Sequence, residues 1–209
     1  MKIGKPFIIG AIIVIALIII SSWFLTTRNG FVTLDENLKE QWGKVEVQYQ
    51  RRLDLIPNLV ATVKGYAEHE SSTFEKVTQA RAGLTDAYNA ANALQTSEGA
   101  FAAESEQSLN RYNEAQQSLG RALNFYVNAV TEAYPDLKAN SQFLDLQTQL
   151  EGTENRIATE RGRYTEFVKE YNVAVRRFPS SIVAGISGFG VKPQFQADAA
   201  AASAPVVSF

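Results

Sequence analysis

Residues 7–25 form a run of 19 without a charged side chain, preceded by Lys2 and Lys5. No other feature narrows the structure of this chain so far. Inside a bilayer every backbone amide and carbonyl must be paired within the protein, so a lone apolar run that crosses one is a helix. At about 1.5 Å per residue the run covers roughly 28 Å, close to the thickness of a bilayer core. Residues 8–20 are strongly apolar throughout, and Trp23 stands at the far end, where an indole favours the interface. A cleaved signal peptide would have an apolar region of about 7–15 residues and a small-residue cleavage site. Here the run is longer, and Trp23, Phe24 and Leu25 put bulky groups where such a site would lie. We read residues 1–6 as a short leader and 7–25 as a retained anchor. No second apolar run of spanning length occurs, so the expectation is a single-pass protein.

Orientation is set by a small difference in charge. Lys2, Lys5 and the amino terminus flank one side, and Arg28, Lys39 and Lys44 the other. The denser charge of the short leader favours a cytoplasmic N-terminus and an exported C-terminal domain.

Composition excludes several function classes. Apart from the two leader lysines, 18 basic residues face 22 acidic ones. Nucleic-acid binding would need a basic face, so no nucleic-acid partner is expected. The absence of cysteine removes thiol catalysis, disulfides and Cys-based zinc sites. A single histidine, His69, removes most multi-histidine metal sites.

The body is patterned as helix. Residues 31–178 hold only two prolines, Pro57 and Pro135. Leu38, Trp42, Val45, Tyr49, Leu53, Ile56, Val60, Val63 and Ala67 follow one another at steps of three and four, averaging about 3.6 residues. The stripe keeps phase through Pro57, so that proline should kink a helix without ending it. A second helix is expected from Ser71-Ser72-Thr73, whose hydroxyls precede Glu75; the chain either bends at residues 70–72 or runs on. Residues 95–99 form a turn candidate. A third helix carries Leu109, Tyr112, Leu119, Leu123, Tyr126 and Val130 and stops before Pro135.

The fourth helix is the most regular. From Phe143 to Phe178 the apolar positions advance 35 residues in ten steps, a 3.5 period of coiled-coil type with Thr153 and Glu160 as polar members of the seam. The fold expected is all-α: a single N-terminal transmembrane helix, then an antiparallel bundle of three to four long helices over residues 31–178. Residues 179–195 form an apolar, glycine-containing tail that could fold back on the bundle, meet a neighbouring subunit or touch the membrane. Residues 196–209 are rich in Ala and Ser and are expected to be disordered.

Two stretches carry a resemblance. The first is Arg51-Arg52-Leu53-Asp54-Leu55-Ile56-Pro57-Asn58-Leu59-Val60, followed by Val63-Lys64-Gly65-Tyr66-Ala67-Glu68-His69-Glu70. The second is Leu146-Gln147 and Leu150-Glu151-Gly152-Thr153-Glu154-Asn155-Arg156-Ile157-Ala158, with Arg161, Tyr164, Val168, Tyr171-Asn172 and Phe178-Pro179. Over residues 31–192 the chain resembles the LemA family. That resemblance implies a bacterial single-pass membrane protein with a long helical bundle. It also implies, as partners, a TPM-domain membrane protein or a membrane metalloprotease. It implies no reaction and no cofactor.

The polar residues of these stretches are the candidate partner or structural positions. Arg51, Asp54 and Asn58 surround Pro57 and either form a recognition patch or satisfy backbone groups freed by the proline. His69-Glu70 lacks the second histidine four residues after the first that a metallopeptidase helix requires, since position 73 is Thr. Glu151 and Glu154 share a helical face; salt bridges to Arg51, Arg52 or Lys64 account for them better than a carboxylate cation site. The tyrosines fall mostly on the apolar stripes and are expected in the core, with their hydroxyls needing partners; the alternative is that they line a contact with another protein. No catalytic, metal or cofactor site is expected. The function expected is a non-enzymatic membrane-anchored scaffold or adaptor that self-associates. Its working surfaces would be the Pro57 region, the helix-four seam at 153–157 and the apolar tail. The alternative is a ligand-sensing helical bundle.

Overall fold

The computed structural model describes residues 5–69 and 75–195. Every regular element among them is helical: α1 (Lys5–His69), α2 (Glu75–Glu98), a 3-10 segment (Gly99–Glu104), α3 (Glu106–Ala133), a second 3-10 segment (Pro135–Ala139), α4 (Ser141–Arg176) and α5 (Ser180–Ser187). The expected second-helix start at 71–73 and the Ala/Ser-rich 196–209 lie outside the described residues. The chain forms two compact units.

The first unit comprises the described residues of Met1–Glu40 and Glu166–Lys192. Its N-terminal stretch of α1 is long and apolar enough to cross a membrane, and none of its most apolar window is buried by protein. Further along, Phe31, Tyr171, Val175, Val183 and Ala184 make a buried cluster, with Phe24, Leu34, Ala174 and Phe189 against it. Of the three fates open to the apolar tail, folding back is the one observed: residues 180–187 become α5, which seats Val183 and Ala184 in this cluster. Local chemistry explains the turn. The Ser180 hydroxyl lies 2.8 Å from the Ala174 carbonyl and 2.7 Å from that of Arg177, serving carbonyls left over at the end of α4. Gly188, at φ 77°, ends α5 in the left-handed region with its N–H on the Ala184 carbonyl, a conformation that favours glycine. Beyond it, the Asn172 side-chain amide holds Lys192 from both sides, donating to its carbonyl (2.9 Å) and accepting from its N–H (2.8 Å).

The second unit comprises the described residues of Gln41–Thr165 and Pro193–Phe209. Its contacts fix the direction of each helix. Trp42 of α1 bonds Gly99 beyond the end of α2. Tyr112, early in α3, bonds Gln95, late in α2, while Lys76 and Glu132 pair at the opposite ends. Tyr66 meets the Tyr134 ring, and Gln41 meets Glu160 of α4. Successive helices therefore alternate in direction, an up-down-up-down bundle. Its core takes Leu53, Ile56, Leu59 and Val63 from α1, Leu84 and Ala91 from α2, Leu119, Leu123 and Tyr126 from α3, and Phe143 and Leu150 from α4.

α1 runs through Pro57 unbroken. Proline lacks the N–H that would bond the carbonyl four residues earlier, yet Leu53, Ile56, Leu59 and Val63 are all buried. Packing on both sides of the proline holds the helix in phase. The turn expected at 95–99 falls later: α2 reaches Glu98 before the 3-10 segment begins. α3 opens on Ser105, whose Oγ accepts from the Ser108 N–H at 3.1 Å, and closes where Pro135 forbids another helical turn. The helix-four seam differs from its expected role. Thr153 and Ile157 are buried inside this chain at 0% and 4% exposure, so the 153–157 part of the seam serves the bundle's own core.

Candidate functional site

Within the second unit the densest chemistry lies around Arg52, a charged side chain only 3% exposed. Lys and Arg are rarely buried unless paired, and Arg52 is paired through both terminal nitrogens, while its buried Nε has no partner among the described residues. Nη1 donates to Glu154 Oε1 at 2.8 Å. Nη2 donates to the Gln116 carbonyl at 2.9 Å and also to the Gln116 side-chain oxygen. One guanidinium thus ties α1 to α3 and α4. Of the three cations offered to Glu151 and Glu154 by the sequence, Arg52 is the one that Glu154 meets. Glu151 instead accepts from Gln147 Nε2 at 3.1 Å, and Lys64 pairs with Glu68 at 3.6 Å.

An aromatic cluster lies near this pair. Trp42 contacts Tyr112, Tyr164 and Phe195 with ring centroids 5.7, 5.3 and 5.9 Å apart, and Tyr49 meets Tyr112 at 5.6 Å. The contacts of Trp42 with Tyr112 and Tyr164, and of Tyr49 with Tyr112, are edge-on, which suits the charge distribution of aromatic rings. The Trp42 indole N–H donates to the Gly99 carbonyl at 2.8 Å. Arg161 stands over the Phe195 ring, 4.3 Å from its centroid. Burial pushes the Tyr49, Tyr112 and Tyr164 phenols well above their ordinary range, with Arg161 and Arg52 opposing the shift at Tyr49. Tyr126 is pushed up to about 12 by its burial. These phenols are neutral in the core; Tyr112 bonds Gln95, and the Tyr164 hydroxyl approaches the Pro193 carbonyl.

The remaining candidate residues separate into two sets. Thr153 is buried, and its hydroxyl donates to the Gln149 carbonyl at 2.7 Å, a purely internal bond. Tyr66 is half-buried against Tyr134. Arg51, Asp54, Pro57 and Asn58 are exposed on α1, and Glu151, Asn155 and Arg156 are exposed on α4. Asp54 accepts from Gln50 at 2.8 Å, and the Asn58 amide approaches the Asp54 carbonyl at 3.5 Å, a weak local contact one residue beyond the carbonyl that Pro57 frees. The His69 side chain and Glu70 lie outside the described residues. Among the described residues no group of three or more metal-binding side chains gathers.

Sequence reasoning missed three participants. Gln116 fills the gap between Tyr112 and Leu119 at steps of four and three, so its place on the α3 stripe was visible. Asn172 bonds Lys192 across 20 residues of chain, and Phe195 meets Tyr164 and Trp42 from farther still, so periodicity carries no sign of them. The nearest signal for Phe195 is a bulky ring standing just ahead of an Ala/Ser-rich stretch.

Known proteins resemble this chain along most of its length. Magnetosome protein MamQ of Magnetospirillum gryphiswaldense is 26% identical over 204 residues, covering 86% of this chain and 68% of the relative. Magnetosome protein MamQ 2 of Paramagnetospirillum magneticum is 26% identical over 210 residues, covering 93% and 74%. The pattern of the LemA family matches residues 41–209, taking in the whole bundle with its buried Arg52 and aromatic cluster, and the chain therefore belongs to the LemA family.

Proposed function

We propose that this protein is a non-enzymatic scaffold anchored in the bacterial inner membrane through α1, with its bundle as a docking body for other membrane proteins and for further copies of itself. The observation that carries the proposal is how the polar residues of the two family stretches divide. Arg52, Glu154 and Thr153 hold the bundle together, Arg52 also through Gln116 of α3, while Arg51, Asp54, Asn58, Asn155 and Arg156 are exposed on α1 and α4. Those two helices are bridged by the Arg52–Glu154 pair, so a rigid frame displays the polar surface. The charge balance of the leader favours an exported bundle. A TPM-domain membrane protein or a membrane metalloprotease is the partner class, on family grounds, and magnetosome-type assembly is a further context supplied by the MamQ relatives.

The test is purification of the full chain in mild detergent, alongside an Arg51→Ala, Asp54→Ala, Asn58→Ala variant, with identification of co-purifying proteins. A membrane protein retained by the wild type and lost with the variant supports the reading. Identical, partner-free preparations refute it.

One observation favours a second reading, a ligand-sensing bundle. Among the described residues, Tyr49 Oη, Asn113 Oδ1 and Gln116 Nε2 are buried without a hydrogen-bond partner, and buried polar atoms are costly to leave unpaired. A small polar solute bound among them would raise the melting temperature in a ligand screen.

A further inference from the structure

α5 is a two-faced helix whose outer face remains apolar. Val183 and Ala184 are buried against Phe31, yet Ile182 and Ile186 are 53% and 71% exposed, and Phe178 just before the helix is 78% exposed. Three large apolar side chains so close together in a short segment are costly in water.

Their position along α1 indicates what covers them. The cluster that seats α5 includes Phe24, which belongs to the apolar run, and Phe31, six residues beyond the end of that run. Six helical residues rise about 9 Å, and the headgroup zone on each side of a bilayer core is roughly 5–8 Å deep. α5 is thus held at the level where lipid headgroups meet acyl chains. Exposed cations stand at the same level: Arg28 on α1, and Arg176 and Arg177 at the end of α4. An apolar face bordered by arginines is the chemistry of a helix lying in an anionic interface.

We infer that α5 is a membrane-surface foot, with Phe178, Ile182 and Ile186 inserted at the headgroup boundary of the bilayer crossed by α1 and Arg28, Arg176 and Arg177 on anionic headgroups. The inference rests on the anchor reading of α1 and is independent of any protein partner.

The chain has no cysteine, so single nitroxide labels are specific. Full-length Ile182→Cys, Ile186→Cys, Val47→Cys and Ile13→Cys variants would be labelled and placed in phosphatidylcholine–phosphatidylglycerol bilayers. Val47 is exposed on the bundle segment of α1 and serves as the aqueous reference; Ile13 reports the span. All four positions are exposed, so the labels leave the core intact. The measurement is the ratio of collisions with oxygen to collisions with a water-soluble nickel chelate. The expected ratio at 182 and 186 is several-fold above that at 47 and below that at 13. A ratio at 182 and 186 equal to that at 47, with 13 still lipid-like, overturns the foot and leaves the anchor standing. A water-like ratio at 13 overturns both. Spin–spin broadening at 182 and 186 that scales with protein density would show a second copy covering the face, which also overturns the inference.

Discussion

Removing one partner from the Arg52–Glu154 pair gives the sharpest test of how the bundle is held. Replacing Glu154 by Ala leaves a guanidinium that is 3% exposed without its carboxylate. Breaking a fully buried pair in this way costs about 3–5 kcal/mol. The Glu154 side chain is 45% exposed, however, so water can reach the vacated end of the fork. Its Nη2 also keeps the Gln116 carbonyl. Both facts move the expected cost of Glu154→Ala to about 2 kcal/mol, within the range for a hydrogen bond to a charged group. Arg52→Met keeps the apolar stem but removes the charge and strands the Gln116 side-chain oxygen in the core, while the Gln116 carbonyl keeps its helical bond within α3. At about 1–3 kcal/mol for a buried unsatisfied acceptor, with the lost bond to Glu154 added, the expected cost is about 3 kcal/mol. For a chain of this size each kcal/mol lowers the melting temperature by about 2–4 °C. Thermal unfolding of the full chain in mild detergent, followed by circular dichroism, should therefore show losses of about 4–8 °C for Glu154→Ala and about 6–12 °C for Arg52→Met. The double variant should lose clearly less than the two losses added together, because the pair can be broken only once. Additive losses, or a Glu154→Ala variant as stable as the wild type, would refute the view that this pair joins the helices as a unit.

The same geometry sets expectations at other positions. Gly65 and Gly83 are helical with nothing near the position of a Cβ, so Gly65→Ala and Gly83→Ala should each stabilise the chain by about 0.5–1 kcal/mol in urea unfolding. Two carboxylates should give stability–pH profiles of opposite sign. Burial raises the Glu46 carboxyl above its ordinary value, so its favourable contribution is complete at low pH and is lost as pH rises through the raised value. Glu46→Gln should accordingly be more stable than wild type at neutral pH, with the gap closing on acidification. At Asp35 burial alone would raise the carboxyl, but hydrogen bonds and charge from Lys39 and Lys192 outweigh it and hold it below the ordinary range. Its contribution is present above the unfolded value and lost as pH falls through the lowered one, so Asp35→Asn should destabilise at neutral pH and have little effect in acid. Phe195→Ala removes a ring that touches Trp42 and Tyr164 and lies under Arg161, and should cost about 1–3 kcal/mol, read from unfolding by tryptophan fluorescence.

How much of the fold is legible in the sequence follows from the range of each interaction. The helices are written in steps of three and four, and the stop before Pro135 in the loss of backbone freedom next to proline, so local pattern alone suffices to place them. Continuation through Pro57 is legible because the stripe keeps its phase on both sides. The seam of α4 shows its period but not its occupant: 3.5-residue spacing fits packing against any long helix, and here the partners are helices of the same chain. The sequence narrows the partner of Glu154 to three cations, and choosing Arg52 requires knowing which faces of α1 and α4 meet. Asn172 clasping Lys192, Trp42 bonding Gly99 and Phe195 capping the aromatic cluster join positions 20 to 153 residues apart, where local pattern carries no information. The fate of residues 180–187 depends on Phe31, which belongs to the other end of the chain.

The central claim, an anchored scaffold that assembles with itself and with other membrane proteins, is tested most directly by the mass of the full chain purified in gentle detergent. Light scattering with the detergent contribution subtracted should give a discrete mass that is a higher whole multiple of 23.0 kDa, or the chain together with a reproducible membrane partner. A single, partner-free species of 23.0 kDa at every protein concentration would contradict it.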